Sequence, residues 1–165
     1  DRQLRLPEFK ASEQVWHRIQ QVEYNRTEDS NFYIQTFNPN QLVLKSLNEP
    51  DRFYRMDLNS RKNLNYPPYC FLVRFFYGNK SQQKTKREAQ EVYSKLRKKL
   101  TKINQDNIII NEPIEMQPKF YRNQYWQAII AKLPKSNWRE ILIKINETLS
   151  EQWKVDPNPI SVLSH

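Results

Sequence analysis

From residue 71 onward the apolar positions change period in a regular order. Phe71, Leu72, Val73, Phe75, Phe76 and Tyr77 form a nearly continuous apolar run that Gly78 and Asn79 end, which predicts a strand. Across residues 80–103, Ala89, Val92, Tyr93, Leu96, Leu100 and Ile103 recur at intervals of three and four, the stripe of an amphipathic helix. Residues 107–111 contain three consecutive isoleucines and predict a second strand. Pro113 and Pro118 make 112–123 a loop or an irregular edge. Residues 125–133 predict a third strand, stopped by Pro134. Ser136 is placed to cap a second helix carrying Trp138, Ile141, Leu142, Ile145 and Leu149 on one face. Residues 153–155 complete the order β-α-β-β-α-β before Asp156-Pro157-Asn158-Pro159. That order is the split β-α-β pattern of an α+β ferredoxin-like sandwich, with two helices on one four-stranded sheet and right-handed crossovers.

The first 66 residues are less regular. Val15, Trp16, Ile19 and Val22 predict a helix over 13–22 with Ser12 as its N-cap. After a polar break at 25–31, residues 32–37 read as a short strand stopped by Asn38-Pro39-Asn40. Residues 42–47 read as a short helix, and Asp51 is placed to cap another that runs to about residue 64. Tyr66-Pro67-Pro68-Tyr69 cannot continue a helix, because the proline ring clashes with the preceding turn and supplies no N–H. The domain boundary is expected there.

Composition narrows the function. The chain has 165 residues, one cysteine and one glycine, and a mean hydropathy of −0.93. A single cysteine excludes a disulfide framework and a cysteine-based zinc cluster. A single glycine excludes both the P-loop and the dinucleotide fingerprint, each of which needs at least two. No run approaches the ~18 apolar residues of a membrane-crossing helix, so no membrane role is expected. The sequence begins Asp1-Arg2-Gln3, without an initiator methionine or a signal-peptide core, and reads as an excised piece of a cytoplasmic protein. Its 27 Lys and Arg against 18 Asp and Glu give a net charge of +9, which favours a polyanionic partner.

Most of that charge sits on one element. The predicted helix 80–103 carries nine Lys or Arg against Glu88 and Glu91 alone. Like charges on one helix face repel unless a polyanion relieves them, so Lys84, Lys86, Arg87, Lys95, Arg97, Lys98, Lys99 and Lys102 are the candidate nucleic-acid-binding residues. The competing reading is a solvated lysine-rich face. Arg122, Gln124, Tyr125 and Trp126 form the candidate partner-facing cluster, whereas Phe71, Phe75 and Tyr77 are assigned to the core. Candidates for catalysis are poor. His17 lies on a predicted helix, His165 is the last residue given, Cys70 reads as a buried strand cysteine, and Asp156 as the acceptor of an Asx-type turn. No catalytic and no metal-binding residue is assigned.

Several segments, in order, resemble the C-terminal part of the primosomal replication-restart DNA helicase family, PriA (primosomal protein N′). They are Leu6-Pro7-Glu8-Phe9-Lys10-Ala11-Ser12-Glu13-Gln14 leading to Gln20-Gln21-Val22, then Ile34-Gln35-Thr36-Phe37-Asn38-Pro39. Arg52-Phe53-Tyr54, Asn63-Leu64-Asn65-Tyr66-Pro67-Pro68-Tyr69 and finally Lys154-Val155-Asp156-Pro157 follow. The resemblance covers nearly the whole chain. It implies that 1–47 is the degenerate tail of a second helicase lobe, 48–66 a helical linker, and 67–165 a C-terminal α/β domain that binds nucleic acid and protein. It also implies a parent that resembles an ATP-dependent superfamily 2 DNA helicase, with fork DNA and the C-terminal tail of single-stranded DNA-binding protein as partners.

The chain departs from the family after Gln21-Val22. Where relatives place glycines and ATP-site arginines, Glu23-Tyr24-Asn25-Arg26-Thr27-Glu28 keeps only Arg26. ATP and zinc are therefore implied for the full-length family and not for this chain, which is either a divergent relative or part of a parent without ATPase function. The family's Tyr-Arg-x-Gln motif matches Tyr121-Arg122-Asn123-Gln124 by letter, and Tyr125-Trp126-Gln127-Ala128 by position before the apolar strand. The expected function is a non-catalytic DNA- and partner-binding segment. The alternatives are an RNA- or ribosome-associated ferredoxin-like module and a pure protein-interaction domain.

Overall fold

A computed structural model describes residue 4, residues 8–101 and residues 107–164. It divides into two compact units, Asp1–Leu64 and Asn65–His165.

In the second unit the apolar run becomes β1 (Phe71–Asn79), the centre of the sheet. It pairs antiparallel with β4 (Gln124–Leu133) on one side, from Phe71↔Leu133 to Asn79↔Tyr125. On the other side it pairs antiparallel with β5 (Lys154–Pro157). β2 (Ile109–Ile110) and β3 (Ile114–Tyr121) both pair antiparallel with the far edge of β4. The crossovers are α4 (Gln82–Thr101) and α5 (Trp138–Asn146). Successive strand residues point to opposite faces, so Val73, Phe75 and Tyr77 of β1 join Ile129, Ala131 and Leu133 of β4 under the helices. Ala89, Val92, Leu96 and Leu100 of α4, Ile141 and Ile145 of α5, and Trp153 close that core. The architecture is α+β with a ferredoxin-like arrangement, as the periodicity predicts. The expected second strand at 107–111 survives as the short β2, and β3 is an additional strand, so the sheet has five strands rather than the expected four.

The differences have local causes. Residues 112–123 are not a loop: β3 runs through them, and its ladder slips between Glu115 and Phe120. Pro118 falls inside that irregularity on an edge strand, where its missing N–H costs no ladder bond. Ser81 starts α4, since its Oγ accepts from the Lys84 N–H at 3.3 Å. Ser136 does not cap α5; the capping position is Asn137, without a side-chain bond.

The first unit is helical. It contains α1 (Ala11–Tyr24), α2 (Leu42–Lys45) and α3 (Pro50–Asn63). Its core is Trp16 stacked on Phe53 with ring centroids 4.4 Å apart, together with Val43. Ser12 lies inside α1 rather than capping it, and Pro50 occupies the first turn of α3, where no N–H is required. Arg61 of α3 reaches Glu13 of α1 at 3.0 Å and Asp57 at 2.7 Å. The expected strand at 32–37 does not form. An extended segment needs a neighbouring strand for its N–H and C=O groups, and none is present among the described residues of this unit. Among the described residues no helix is long and apolar enough to cross a membrane.

Candidate nucleic-acid interface

α4 buries Thr85, Ala89, Val92, Tyr93, Leu96 and Leu100, which turns its remaining positions outward. Lys84, Lys86, Arg87, Lys95, Arg97 and Lys98 are all exposed. Lys84, Arg87, Glu91, Lys95 and Lys98 follow one another at intervals of three and four and share one stripe. From Lys84 to Lys98 that stripe is about 21 Å long at about 1.5 Å per residue. Arg87 meets Glu91 at 3.4 Å on the helix surface. Lys84, Lys95, Arg97 and Lys98 make no ion pair among the described residues.

Two of the candidate lysines are occupied within the fold. Lys86 pairs with Glu115 of β3 at 2.9 Å, and Gln82 reaches the same carboxylate at 3.3 Å. The Lys86 hydrogen bond is the main reason that the Glu115 carboxyl lies below its usual range, against some opposing desolvation. Lys99 differs from the sequence expectation more sharply. Its ammonium donates to the Lys144 carbonyl at 2.7 Å, to Glu147 at 3.1 Å and to the Thr148 hydroxyl at 3.1 Å. A cation there satisfies the exposed carbonyl end of α5, so Lys99 is a helix-terminus clamp rather than part of the outward stripe. Lys102 lies outside the described residues.

The cluster expected at 122–126 is not brought together as one pocket. Arg122 and Asn123, with φ of 50° and 60°, form the two-residue turn between β3 and β4. Strand alternation then sends Gln124 and Trp126 to the sheet face away from the helices and Tyr125 to the other. Tyr125 packs against Phe120 with centroids 4.9 Å apart, and the Arg122 guanidinium sits 5.2 Å from the Tyr121 ring centre. Trp126 is only 7% exposed, so it is no surface anchor. Its indole packs with Met116, Ala128 and Phe76, donates to the Tyr121 carbonyl at 2.9 Å, and covers Gly78. A Cβ at Gly78 would fall 2.8 Å from the indole carbons, which gives the single glycine a steric role. Lys119 and Phe120 escaped sequence reasoning because Pro118 disguised their strand; the turn-forming Arg122-Asn123 pair was the available signal.

The same sheet face holds two further surprises. Asp156 is not an Asx-turn acceptor but pairs with the buried Arg74 at 2.7 Å, and Arg74 also donates to the Ser164 carbonyl. Lys154 lies 5.1 Å from the centre of the Trp126 ring. Cys70 is buried and donates to the Asn65 carbonyl at 3.2 Å, and burial pushes its thiol above its usual range.

No protein-family model matches the chain. Four curated relatives do, all of them named Replication restart protein PriA. The Replication restart protein PriA of Borreliella burgdorferi is 29% identical over 168 residues, 96% of this chain and 25% of the relative. The protein of the same name from Chlamydia pneumoniae is 33% identical over 110 residues, 63% of this chain and 15% of the relative. That of Chlamydia trachomatis is 33% identical over 106 residues, 61% of this chain and 14% of the relative. The chain resembles a partial, divergent segment of PriA. It spans a quarter or less of the length of these relatives. Among the described residues no three His, Cys, Asp or Glu side chains converge as zinc ligands. Gly78, the one glycine, is packed under Trp126 and does not open a phosphate-binding turn.

Proposed function

We propose that this chain is a DNA-contacting, non-catalytic segment of a PriA-like replication-restart protein, and that it holds DNA electrostatically along α4. The observation that carries the reading is the outward stripe of α4, where Lys84, Arg87, Lys95 and Lys98 stand in line with Arg97 beside them and Glu91 as the carboxylate among them. Its length of about 21 Å corresponds to about six base-pair steps of B-DNA at about 3.4 Å each. A row of ammonium and guanidinium groups on that scale can neutralise successive phosphates and release their counterions. The names of the relatives favour DNA over other polyanions. Such contacts fix position and carry no sequence information, so the chain serves as a handle on DNA and not as a reader of bases.

Fluorescence anisotropy with a labelled branched fork, a matched duplex and a structured RNA tests this. The reading expects fork binding that exceeds RNA binding and that falls when Lys95, Arg97 and Lys98 are reversed to Glu. Equal or stronger binding of RNA would instead support an RNA-associated module. Absence of binding at low salt would leave a protein-interaction domain.

A further inference from the structure

We infer that the β3–β4 hairpin is a stacking site for unpaired DNA bases, distinct from the phosphate-binding stripe of α4. The inference rests on the DNA reading above and adds a second kind of contact to it. Phe120 is 50% exposed and Tyr121 37%, at the very end of a strand whose apolar cluster is already closed by Met116, Trp126 and Ala128. Neighbouring strand residues face opposite ways, so the tip carries one aromatic ring on each side. Each ring is braced from within the hairpin: Phe120 by Tyr125 at 4.9 Å, Tyr121 by the Arg122 guanidinium at 5.2 Å.

The tip is also stiff. A two-residue turn joins the strands, and the Trp126 indole N–H ties β4 to the Tyr121 carbonyl at 2.9 Å. Rings already held in place lose little freedom when a base stacks on them. Charge selects the occupant. Lys119 and Arg122 flank the rings, and Glu115, the single carboxylate of residues 113–125, is engaged by Lys86 at 2.9 Å and Lys119 at 3.5 Å. Aromatic faces between cations are the means by which proteins hold single strands without reading sequence. The Lys86–Glu115 pair also joins this hairpin to α4, so a duplex along α4 and unpaired nucleotides at the tip would belong to one DNA molecule.

The test uses the full 165-residue chain and two probes. One is a short oligothymidylate with a central 2-aminopurine, whose fluorescence falls when it stacks. The other is a fluorescein-labelled duplex. Phe120→Ala is expected to weaken oligothymidylate binding by about 5- to 150-fold and to abolish the 2-aminopurine response, with duplex affinity unchanged. Phe120→Leu keeps an apolar contact with Tyr125 but has no π face, and should behave like Phe120→Ala. Phe120→Trp should bind as well as the unaltered chain. Unaltered duplex affinity doubles as the check on folding. Wild-type oligothymidylate binding by the Ala or Leu variant, with duplex binding intact, overturns the hairpin inference alone. A chain that binds neither probe overturns it together with the DNA reading.

Discussion

Replacing Gly78 by Ala adds one methyl group where the Trp126 indole already lies, 2.8 Å from the new carbon. The indole cannot swing aside freely, because it packs on Met116, Phe76 and Ala128 and is hydrogen-bonded to the Tyr121 carbonyl. Two opposing effects set the size of the change. Ala in place of Gly within a strand favours folding by about 0.5–1 kcal/mol through the unfolded chain. Overpacking a close-packed site costs about 1–3 kcal/mol. The net expectation runs from no change to a destabilisation of about 2.5 kcal/mol. The cleaner quantity is the coupling between the two positions. In a Trp126→Ala background the clash is gone, so Gly78→Ala should stabilise by about 0.5–1 kcal/mol. Urea unfolding of the four proteins of this cycle, followed by far-ultraviolet circular dichroism, gives a predicted coupling of about 1–3 kcal/mol. A coupling within the ~0.5 kcal/mol scatter of independent sites would refute the steric account of this glycine.

Two further outcomes separate the lysines engaged within the fold from those of the outward stripe. Lys99→Met should destabilise the chain by about 0.5–1.5 kcal/mol in urea unfolding, through loss of its bonds to Lys144, Glu147 and Thr148, with the salt dependence of DNA binding unchanged. Glu115, held below its usual range chiefly by Lys86, should show a carboxyl-carbon NMR titration midpoint below that of an ordinary glutamate. Its folded value lies below its unfolded value, so the stabilisation it contributes is present above the unfolded value and is lost as pH falls through the folded one. Lys86→Met should move that midpoint back up, and an unmoved midpoint would contradict the Lys86 assignment.

The sheet and its two crossover helices were legible because burial imposes strict periods on residues that reach the core. Val73, Phe75 and Tyr77 alternate, and Ala89, Val92, Leu96 and Leu100 recur at three and four. β3 was hidden for the opposite reason: it is an edge strand with exposed residues, a slipped ladder and a proline. The segment at 32–37 has the composition of a strand, but strand pairing is a non-local fact that composition does not carry. Among the candidate site residues, the density of charge on α4 was plain in the sequence. Which lysines face outward was not, since Lys86 and Lys99 find partners 29 and 48 residues away along the chain, at Glu115 and Glu147. Trp126 looked surface-bound beside Arg122 and Gln124, yet the alternation of β4 and the vacancy above Gly78 draw it in.

The central claim is that the outward lysines of α4 bind phosphates. Its most direct test is the slope of log affinity for one duplex against log salt concentration, compared between the unaltered chain and a Lys95→Gln, Lys98→Gln double variant. Each phosphate contact contributes about −0.9 to that slope on B-DNA, so the double variant should be shallower by about 1.8. A slope that does not change between the two proteins would contradict the account.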